Sequence, residues 1–466
     1  MSATALPDLI ADAQTTEERF LRQIFVRDQM AEWSKQPLIM ARAEGVHYWD
    51  VHGKHYLDAL SGIYVVSVGH NNPRVIEAVT RQMQTLCFSP PMHGTNPLAV
   101  RLANRLAELA PGDLSAVKLQ TGGSEVTEAA IKLRGSITEA DGIARQVQDH
   151  QPIPFLARLD PGLALGLGAE GPAHRERAAR PRISPRLPAH LLPLPLRQDV
   201  PRLRNHLRAL IGDTIEMEDP ETVAAIMVEP IGHTGGVIDP PEEYLPLLRE
   251  ICDRYNVLLI FDEIITGIGR TGHLFAAETF GVTPDVLCVA KGLSGGIAPV
   301  SAMICRRSIA DAFWGPIAEN PGFVEGHTFE GNPISCAAAL AVLDEIQTHD
   351  LCGNARARGA QLRTRFEELQ RKYPVIGDIR GKGLFQAIEL VRDPQTRARF
   401  SAGSELGVKV GRRALEHGLL CRFDPHWIAF GPPLVSTEAE IDAMVGVLDR
   451  SLGEVLDEAG IGGSAS

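Results

Sequence analysis

The sequence predicts an α/β fold in which helices cover a mostly parallel sheet. Residues 257–261 (VLLIF) and 286–290 (VLCVA) are short, continuous apolar runs, as expected for strands that are buried on both faces. Helical segments alternate with such strands, and two of them begin with a proline in the first turn, at Pro73 and Pro97. A chain of 466 residues is long enough for two subdomains.

Composition and charge limit the class of protein. With 44% hydrophobic and 22% charged residues, the chain has the composition of a soluble globular protein. It has no run of about eighteen apolar residues, and its N-terminus lacks the basic-then-apolar pattern of a secretion signal. Seven cysteines without a C-x-x-C motif disfavour disulfides and structural zinc, and a net charge of −12 disfavours nucleic acid. We therefore expect a cytoplasmic enzyme with no metal site and no contact with nucleic acid or membrane.

The first predicted elements are a hairpin and two helices. Residues 48–54 have the alternating polarity and the glycine of a short hairpin, and residues 56–60 continue it as a strand. Helices are expected over residues 73–86 and 97–109.

The next predicted elements are a strand, a glycine turn and a helix. Residues 116–120 form the strand, Thr121-Gly122-Gly123-Ser124 form the turn, and the helix extends from residue 125 to about residue 133. Such a turn offers backbone N–H groups and the positive end of a helix dipole to a phosphate. The same pattern is also a good helix N-cap without any ligand, so both interpretations stay open.

Beyond residue 210 the predicted elements are regular again. A strand over residues 224–228 ends at Glu229, the two apolar runs follow, and residues 300–305 form a further strand. The later elements are a helix over residues 336–346, a strand over residues 381–389 and a terminal helix over residues 438–452.

Two charged residues stand at the ends of predicted strands, Asp262 after the first apolar run and Lys291 after the second. Open α/β sheets bind ligands at this edge, whereas an arbitrary Asp and Lys would more commonly form a surface pair. Gly123 and Ser124 add a phosphate cradle. Pyridoxal 5'-phosphate needs a phosphate anchor, a carboxylate that keeps its ring nitrogen protonated and a lysine that forms a Schiff base. The sequence therefore predicts a pyridoxal-phosphate site.

At these residues the chain resembles the class III pyridoxal-phosphate-dependent aminotransferases of fold type I. The matching motifs follow the family's order and spacing, and they are TGGSE at 121–125, FDEI at 261–264, TGIGRTG at 266–272, AKG at 290–292, HTFEGNP at 327–333 and GKGL at 381–384. The resemblance implies a large domain with a mostly parallel seven-stranded sheet and a smaller α+β domain. We expect residues 66–330 to form the large domain, and residues 1–65 and 331–466 to form the small one.

The resemblance also implies roles for individual residues. Gly123 and Ser124 match the phosphate-binding pair. Asp262 matches the partner of the pyridine nitrogen and Lys291 matches the Schiff-base lysine, so these two are the expected catalytic residues. Ile264 matches a side chain that packs behind the cofactor ring, although a plain core position is an equal alternative.

Three further positions concern the partner subunit, a turn and the substrate pocket. Thr328 matches a threonine that reaches the phosphate of the neighbouring subunit, which implies a homodimer with two shared sites. Arg270 matches a family position for which we favour a structural role in the turn. Tyr64 is a candidate for the substrate pocket, with plain packing as the favoured alternative.

The substrate motif departs from the family. Many members have an arginine three residues before a Pro-Pro-Leu, where it binds the substrate carboxylate and pairs with a glutamate before a proline. Here Ala429 occupies the arginine position and Glu229 is retained, while Arg422 is either a substitute or a surface residue. The apolar residues 427–430 favour an ω-amine donor with pyruvate or glyoxylate as acceptor.

Residues 135–210 do not resemble the rest of the family. Between residues 136 and 210 there are eleven arginines, ten prolines, no lysine and one aromatic residue, Phe155. The sequence KLRGS at 132–136 is what a family-like KLARQ becomes in GC-rich codons when one base is lost. We therefore hypothesise a frameshifted segment over about residues 135–205, with a divergent insertion as the alternative. The codons of the gene decide between them.

The predicted function is pyridoxal-phosphate-dependent transamination. An amine or ω-amino acid would give its amino group to a 2-oxo acid such as pyruvate or 2-oxoglutarate, with Lys291 moving the proton. Two alternatives stay open, since fold alone does not determine the reaction: an aminomutase or decarboxylase of the same family, and an inactive frameshifted product.

Overall fold

A computed structural model of the protein describes residues 15–21, 24, 33, 37–140, 154–155, 182–183, 208–221, 223–316 and 322–461. Its strands are β1 (Met40–Glu44), β2 (His47–Asp50), β3 (His55–Asp58), β4 (Leu114–Gln120), β5 (Pro154–Phe155), β6 (Arg182–Ile183), β7 (Ala225–Val228), β8 (Leu258–Asp262), β9 (Val286–Val289), β10 (Ser301–Arg306), β11 (Ile376–Lys382), β12 (Phe385–Leu390), β13 (Leu419–Leu420), β14 (Arg422–Asp424) and β15 (Trp427–Phe430).

The α-helices are α1 (Thr16–Arg19), α2 (Ser61–Tyr64), α3 (Pro73–Thr85), α4 (Pro97–Leu109), α5 (Gly123–Ala140), α6 (Asp213–Met217), α7 (Tyr244–Tyr255), α8 (Ala276–Phe280), α9 (Arg307–Asp311), α10 (Pro333–Thr348), α11 (Leu351–Lys372), α12 (Leu406–Glu416) and α13 (Glu438–Glu458). A π-helical turn (Arg208–Gly212) precedes α6, and 3₁₀ turns lie at Lys291–Ser294 and Ala402–Ser404. None of the helices in the described ranges is both long and apolar enough to cross a membrane.

The central sheet has the strand order β4-β10-β9-β8-β7. Strands β7, β8 and β9 are parallel, whereas β10 is antiparallel to both of its neighbours, so four of the five strands have the same direction. The described sheet is thus mostly parallel, as predicted. The frameshift hypothesis concerns about residues 135–205, and the seven-strand prediction depends on the same part of the chain. Most of these residues lie outside the described ones, and both stay hypotheses.

Helices cover both faces of this sheet, and alternate residues of β8 show how. Leu259 and Phe261 belong to the main core cluster together with helix α7, whereas Ile260 packs on the opposite face with Val126 of α5. All four of these apolar side chains are fully buried. Burial of each contributes about 1.5–3 kcal/mol relative to exposure, which explains why these strands are continuous apolar runs.

A second, smaller unit contains two four-stranded sheets. One is antiparallel with the order β11-β12-β15-β14, and helices α11 and α12 pack against it. The other has the order β1-β2-β3-β13, in which β13 from the C-terminal part pairs in parallel with β3. The N-terminal strands and the C-terminal segment therefore share one sheet.

Two predicted elements differ from the structure. The single strand predicted over residues 381–389 is wrong, because β11 and β12 form an antiparallel hairpin that turns at Gly383, whose φ is 55°. Glycine adopts this left-handed conformation without steric cost. Helix α5 continues to Ala140 instead of ending near residue 133. Its interior glycine, Gly135, lowers helix stability by only about 1 kcal/mol relative to alanine, so the helix can continue through it.

The predicted boundary between the domains at residue 330 stays a prediction. Helix α10 begins three residues later, at Pro333, and packs against α3 and α4 of the preceding part of the chain. All seven cysteines lie in the described residues and are free thiols.

Candidate active site

The predicted strand-end acid and lysine lie at the same edge of the central sheet. Asp262 is the last residue of β8 and pairs in register with Cys288 of β9. Lys291 follows β9 after Ala290 and begins a 3₁₀ turn. Because β8 and β9 are adjacent and parallel, their carboxyl ends place both residues on the edge where open α/β sheets bind ligands.

Asp262 is a buried carboxylate at the end of its strand. Only 5% of the residue is exposed, and its Oδ1 atom accepts a hydrogen bond of 3.2 Å from the Ile264 backbone N–H. A buried carboxylate next to a site is suited to pairing with a positively charged group of a ligand.

Lys291 has an unusual backbone conformation, with φ at 41°. A lysine with positive φ is uncommon and costs on the order of 1 kcal/mol, so the surrounding structure has to enforce it. The buried Ser67 contributes to this, because its hydroxyl donates a 2.7 Å hydrogen bond to the carbonyl oxygen of Gly292. The strained backbone therefore occurs at the residue that the sequence predicts as the Schiff-base lysine.

A cavity of about 570 Å³ lies at this edge of the sheet. Gly123, Ser124, Ile264 and Lys291 are among the residues that line it. Four residues that the sequence analysis assigned to one cofactor are therefore neighbours around one space.

The glycine turn presents bare backbone to this cavity. Gly123 is the first residue of α5, and the first N–H groups of a helix have no acceptor within the helix. A Cβ atom on Gly123 would lie 3.0 Å from Cδ1 of Ile264, so only glycine leaves both residues in place. The turn thus has the form of an anion cradle at the positive end of a helix dipole.

Glu125 fixes the start of the cradle. Its Oε2 atom accepts a 3.1 Å hydrogen bond from the backbone N–H of Thr121, and the Thr121 hydroxyl donates to the same oxygen. Burial favours a raised pKa, but these hydrogen bonds outweigh it and lower the pKa of Glu125 below its ordinary value. On the other side, the Ser301 hydroxyl donates a 3.0 Å hydrogen bond to the Gly122 carbonyl oxygen.

Glu263 has a role that the sequence analysis did not identify. It is fully buried, and its carboxyl oxygens accept hydrogen bonds from the backbone N–H groups of Ala276 and Ala277 at the start of α8. Burial raises its pKa to about 8, against the opposing effect of these two hydrogen bonds. The residue after Asp262 therefore connects the end of β8 to α8.

Arg270 is a structural residue, as favoured from the sequence. Its buried guanidinium donates to the carbonyl oxygens of Leu384 and Pro432 and, at 3.1 Å, to the Ser61 hydroxyl. Burial lowers its pKa to about 10. Arg270 thereby ties the turn after β8 to the smaller unit.

The candidate substrate residues lie apart from the cavity wall. Among the described residues that line the cavity, neither Tyr64 nor Glu229 nor Arg422 occurs. Tyr64 is 1% exposed and packs edge-on against His233 and Phe385.

The other two candidates have polar contacts of their own. Glu229 accepts a 3.2 Å hydrogen bond from the His233 backbone N–H. The Arg422 side chain is 43% exposed and lies 5.5 Å from the centre of the Trp427 ring.

Thr328 is exposed and is not among the residues that line the cavity of its own chain. Further cavity residues received no role from the sequence: Val65, Thr127 and the loop over residues 296–300. The pair Gly295-Gly296, both with positive φ, is the pattern that could have indicated a loop beside the site.

Comparison with known proteins identifies the family. The family model described as aminotransferase class-III matches residues 29–452. A probable aminotransferase of Mycobacterium tuberculosis is 35% identical, over 95% of this chain and 95% of its own length. An omega-aminotransferase of Caulobacter vibrioides is 32% identical, over 91% of this chain and 95% of its own. An amine transaminase structure from an uncultivated Pseudomonas species, in its pyridoxal-phosphate-bound form, superposes with a TM-score of 0.82 at 32% identity, covering 93% of this chain and 99% of its own.

The fold and these similarities define a pyridoxal-phosphate-dependent enzyme of fold type I. Within that class, the chain belongs to the class-III aminotransferases, and its activity is pyridoxal-phosphate-dependent transamination. The alternatives of an aminomutase or decarboxylase are not favoured by these comparisons.

The residues present fit this cofactor. The glycine cradle leaves room where any side chain on Gly123 would meet Ile264, and it offers N–H groups at a helix N-terminus to a phosphate. Lys291 lines the same cavity, and the buried Asp262 ends the neighbouring strand β8.

Proposed function

We propose that Lys291 and Asp262 are the catalytic residues of this aminotransferase. The supporting observation is that Lys291 and the glycine cradle line one cavity at the carboxyl edge of the parallel sheet. When bound, pyridoxal phosphate supplies an aldehyde that links to amines and a ring that accepts electrons from the substrate carbon. Lys291 Nζ would take the proton from the substrate carbon and deliver it to the cofactor, acting first as a general base and then as a general acid.

Asp262 keeps the ring nitrogen protonated, and Ile264 positions the ring. A buried carboxylate favours a positively charged partner, and Asp262 is 5% exposed. Gly123 and Ser124 bind the phosphate through the cradle at the start of α5. Ile264 packs against Gly123 and thereby forms one wall of the cavity beside the cradle.

We infer that two copies of the chain form a homodimer in which Thr328 contributes to the partner's phosphate site. Thr328 and its neighbour Phe329 are exposed, and Phe329 packs edge-on against Phe88 at 5.8 Å. Met92 and Val324 are 92% and 88% exposed. An exposed group of large apolar side chains is typical of a protein–protein interface, and a second copy is the occupant that a shared site requires.

The proposed substrates are an ω-amine donor and pyruvate or glyoxylate as acceptor. Ala429 is fully buried in β15 and leaves no arginine at the position where many members of the family bind the substrate carboxylate. Arg422 lies on the adjacent strand and pairs in register with Ala429, so it is the candidate for any remaining carboxylate contact. Glu229 and Tyr64 are further candidates for the substrate side, with plain packing as the favoured alternative for Tyr64.

We place the enzyme in the cytoplasm. All seven cysteines are free thiols, which fits a reducing compartment.

Absorbance spectra of the purified protein test the proposed site. The wild-type protein should be yellow with bound pyridoxal phosphate, and Lys291→Ala should lose the band of the lysine-bound form. A colourless wild-type protein after reconstitution would favour the inactive frameshifted product. A panel of amine donors with pyruvate, glyoxylate and 2-oxoglutarate then tests the substrates, and a preference for 2-oxoglutarate would contradict the proposed acceptor.

A further inference from the structure

A polar network joins strand β4 to the segment that contains Thr328. Lys118 Nζ lies 3.1 Å from Glu330 Oε2 and 3.7 Å from Glu325 Oε2. Gln120 donates a 2.7 Å hydrogen bond from Nε2 to Glu325 Oε2. His327 Nε2 lies 3.2 Å from Glu325 Oε1. We call these five residues, Lys118, Gln120, Glu325, His327 and Glu330, the Lys118 network.

Strand geometry explains why β4 provides two members of this network. Lys118 and Gln120 are two positions apart, so their side chains point to the same face of the sheet. The Glu325 side chain is 5% exposed, and a carboxylate this buried requires charged or hydrogen-bonding partners. Lys118 also lies 5.8 Å from the centre of the Phe323 ring, which adds a third contact to the same segment.

Thr328 lies in a turn that hydrogen bonds close on both sides. Within the turn, the Glu330 backbone N–H donates a 3.1 Å hydrogen bond to the His327 carbonyl oxygen. The His327 backbone N–H in turn donates to Glu330 Oε2, at 3.4 Å. Thr328 and Phe329 lie between these two fixed residues and are exposed.

The other end of the turn is fixed as well. The amide of Asn96, which is 4% exposed, donates a 2.8 Å hydrogen bond to the Gly331 carbonyl oxygen. Asn332 caps α10 by accepting hydrogen bonds from the N–H groups of Ile334 and Ser335. The backbone on both sides of Thr328 is therefore held by hydrogen bonds, while Thr328 itself is exposed.

We propose that Lys118 is a positioning residue that presents Thr328 to the cofactor phosphate of the second copy. This inference rests on the proposed homodimer and adds the element that orders the donated threonine. Lys118 acts through Glu330 and Glu325 and does not itself touch the cofactor. An unordered turn would have to be fixed each time the phosphate binds, and ordering it in advance removes that entropic cost.

The test compares pyridoxal phosphate with pyridoxal, which lacks the phosphate. Dissociation constants of both are measured by equilibrium dialysis of the purified dimer of wild type, Lys118→Met, Lys118→Arg, Thr328→Ala and the double variant Lys118→Met/Thr328→Ala. The control is Lys372→Met, which removes the 2.7 Å ion pair with Asp449 in the smaller unit.

We expect Lys118→Met to raise the dissociation constant of pyridoxal phosphate about tenfold. A tenfold change corresponds to the free energy of about one hydrogen bond to a charged group. The constant for pyridoxal should be unchanged. Lys118→Arg keeps the charge and should stay within about twofold, and the double variant should equal Thr328→Ala because the two residues act in series.

Three results would overturn the inference: equal weakening of pyridoxal and pyridoxal phosphate by Lys118→Met, an additive double variant, or no effect of Lys118→Met in a dimer that binds the cofactor. A wild-type protein that binds no pyridoxal phosphate contradicts the proposed function itself, which separates the two failures.

Discussion

Ile264 occupies the space beside Gly123 so closely that a Cβ atom on Gly123 would lie 3.0 Å from its Cδ1 atom and 3.4 Å from its Cγ2 atom. These two residues come from different elements, α5 and the segment after β8, and both line the cavity. Their contact therefore joins the phosphate cradle to the cavity wall beside it.

We expect Gly123→Ala to displace Ile264 or the cradle and to weaken pyridoxal-phosphate binding about tenfold or more, since overpacking costs about 1–3 kcal/mol. The measurement is the dissociation constant by dialysis. The variant Ile264→Val lacks Cδ1, so the pair Gly123→Ala/Ile264→Val should recover most of the affinity. The control Gly446→Ala has open space at its Cβ and should bind as wild type. No recovery in the double variant would show that another group meets the new methyl.

Glu263 should make the protein less stable as the pH rises. Its folded-state pKa is raised to about 8 from 4.5, so the folded state binds the proton more tightly than the unfolded state. The stabilisation is complete below pH 4.5 and is lost as the pH rises to about 8, with a total change of about 5 kcal/mol.

The measurement is the difference in free energy of unfolding between wild type and Glu263→Gln at pH 5 and pH 9. This difference should shrink at high pH because the glutamine side chain of the variant does not ionise. Glu77→Gln, whose side chain is 68% exposed, should show no such change. A difference that is constant with pH would mean that Glu263 ionises normally in the folded protein.

Arg270→Met should destabilise the protein by about 3 kcal/mol. The substitution leaves the buried carbonyl oxygens of Leu384 and Pro432 without their donor, and each such loss costs about 1–3 kcal/mol. Denaturant unfolding measures the effect. The control is Arg81→Met in an exposed pair with Glu77, which should change stability by less than about 0.5 kcal/mol. An equally small effect of Arg270→Met would contradict its role as a tie between the two units.

Tyr64→Phe should leave stability unchanged or slightly raised. In the described part of the structure, the buried Tyr64 hydroxyl has no hydrogen-bond partner. Removing an unsatisfied polar group from an apolar site is nearly neutral or favourable. Tyr56→Phe is the matched control: its hydroxyl donates a 2.9 Å hydrogen bond to Asp50, and its loss should cost about 1 kcal/mol. A large loss of kcat/KM in Tyr64→Phe with unchanged stability would instead place this hydroxyl in the substrate pocket.

The elements around the cavity could be predicted from sequence because each has a local pattern. Continuous apolar runs indicated β8 and β9, and Gly-Gly-Ser before a helix indicated the cradle. The hairpin of β11 and β12 was missed because GKGL contains a turn glycine that also fits a bulge within one strand.

The contacts between elements could not be predicted, because they join residues that are distant in sequence. Lys118 and Glu330 are ordinary surface residue types, and only the fold brings their side chains to 3.1 Å. The burial of Glu263 likewise depends on where α8 packs. Sequence patterns therefore predicted Gly123, Ser124, Ile264 and Lys291, which line one cavity, and three-dimensional packing determined how they are arranged.

The pairing of β13 with β3 has a consequence for synthesis of the protein. Leu57 of β3 pairs with Leu419 of β13. Strands β1, β2 and β3 are synthesised early, and their sheet is complete only after β13 has been synthesised. At ordinary rates of translation this delay is on the order of tens of seconds. During that time β3 exposes an unpaired edge, which is a template for wrong pairing. Nascent chains stalled before residue 419 should therefore be clients of chaperones and prone to aggregate.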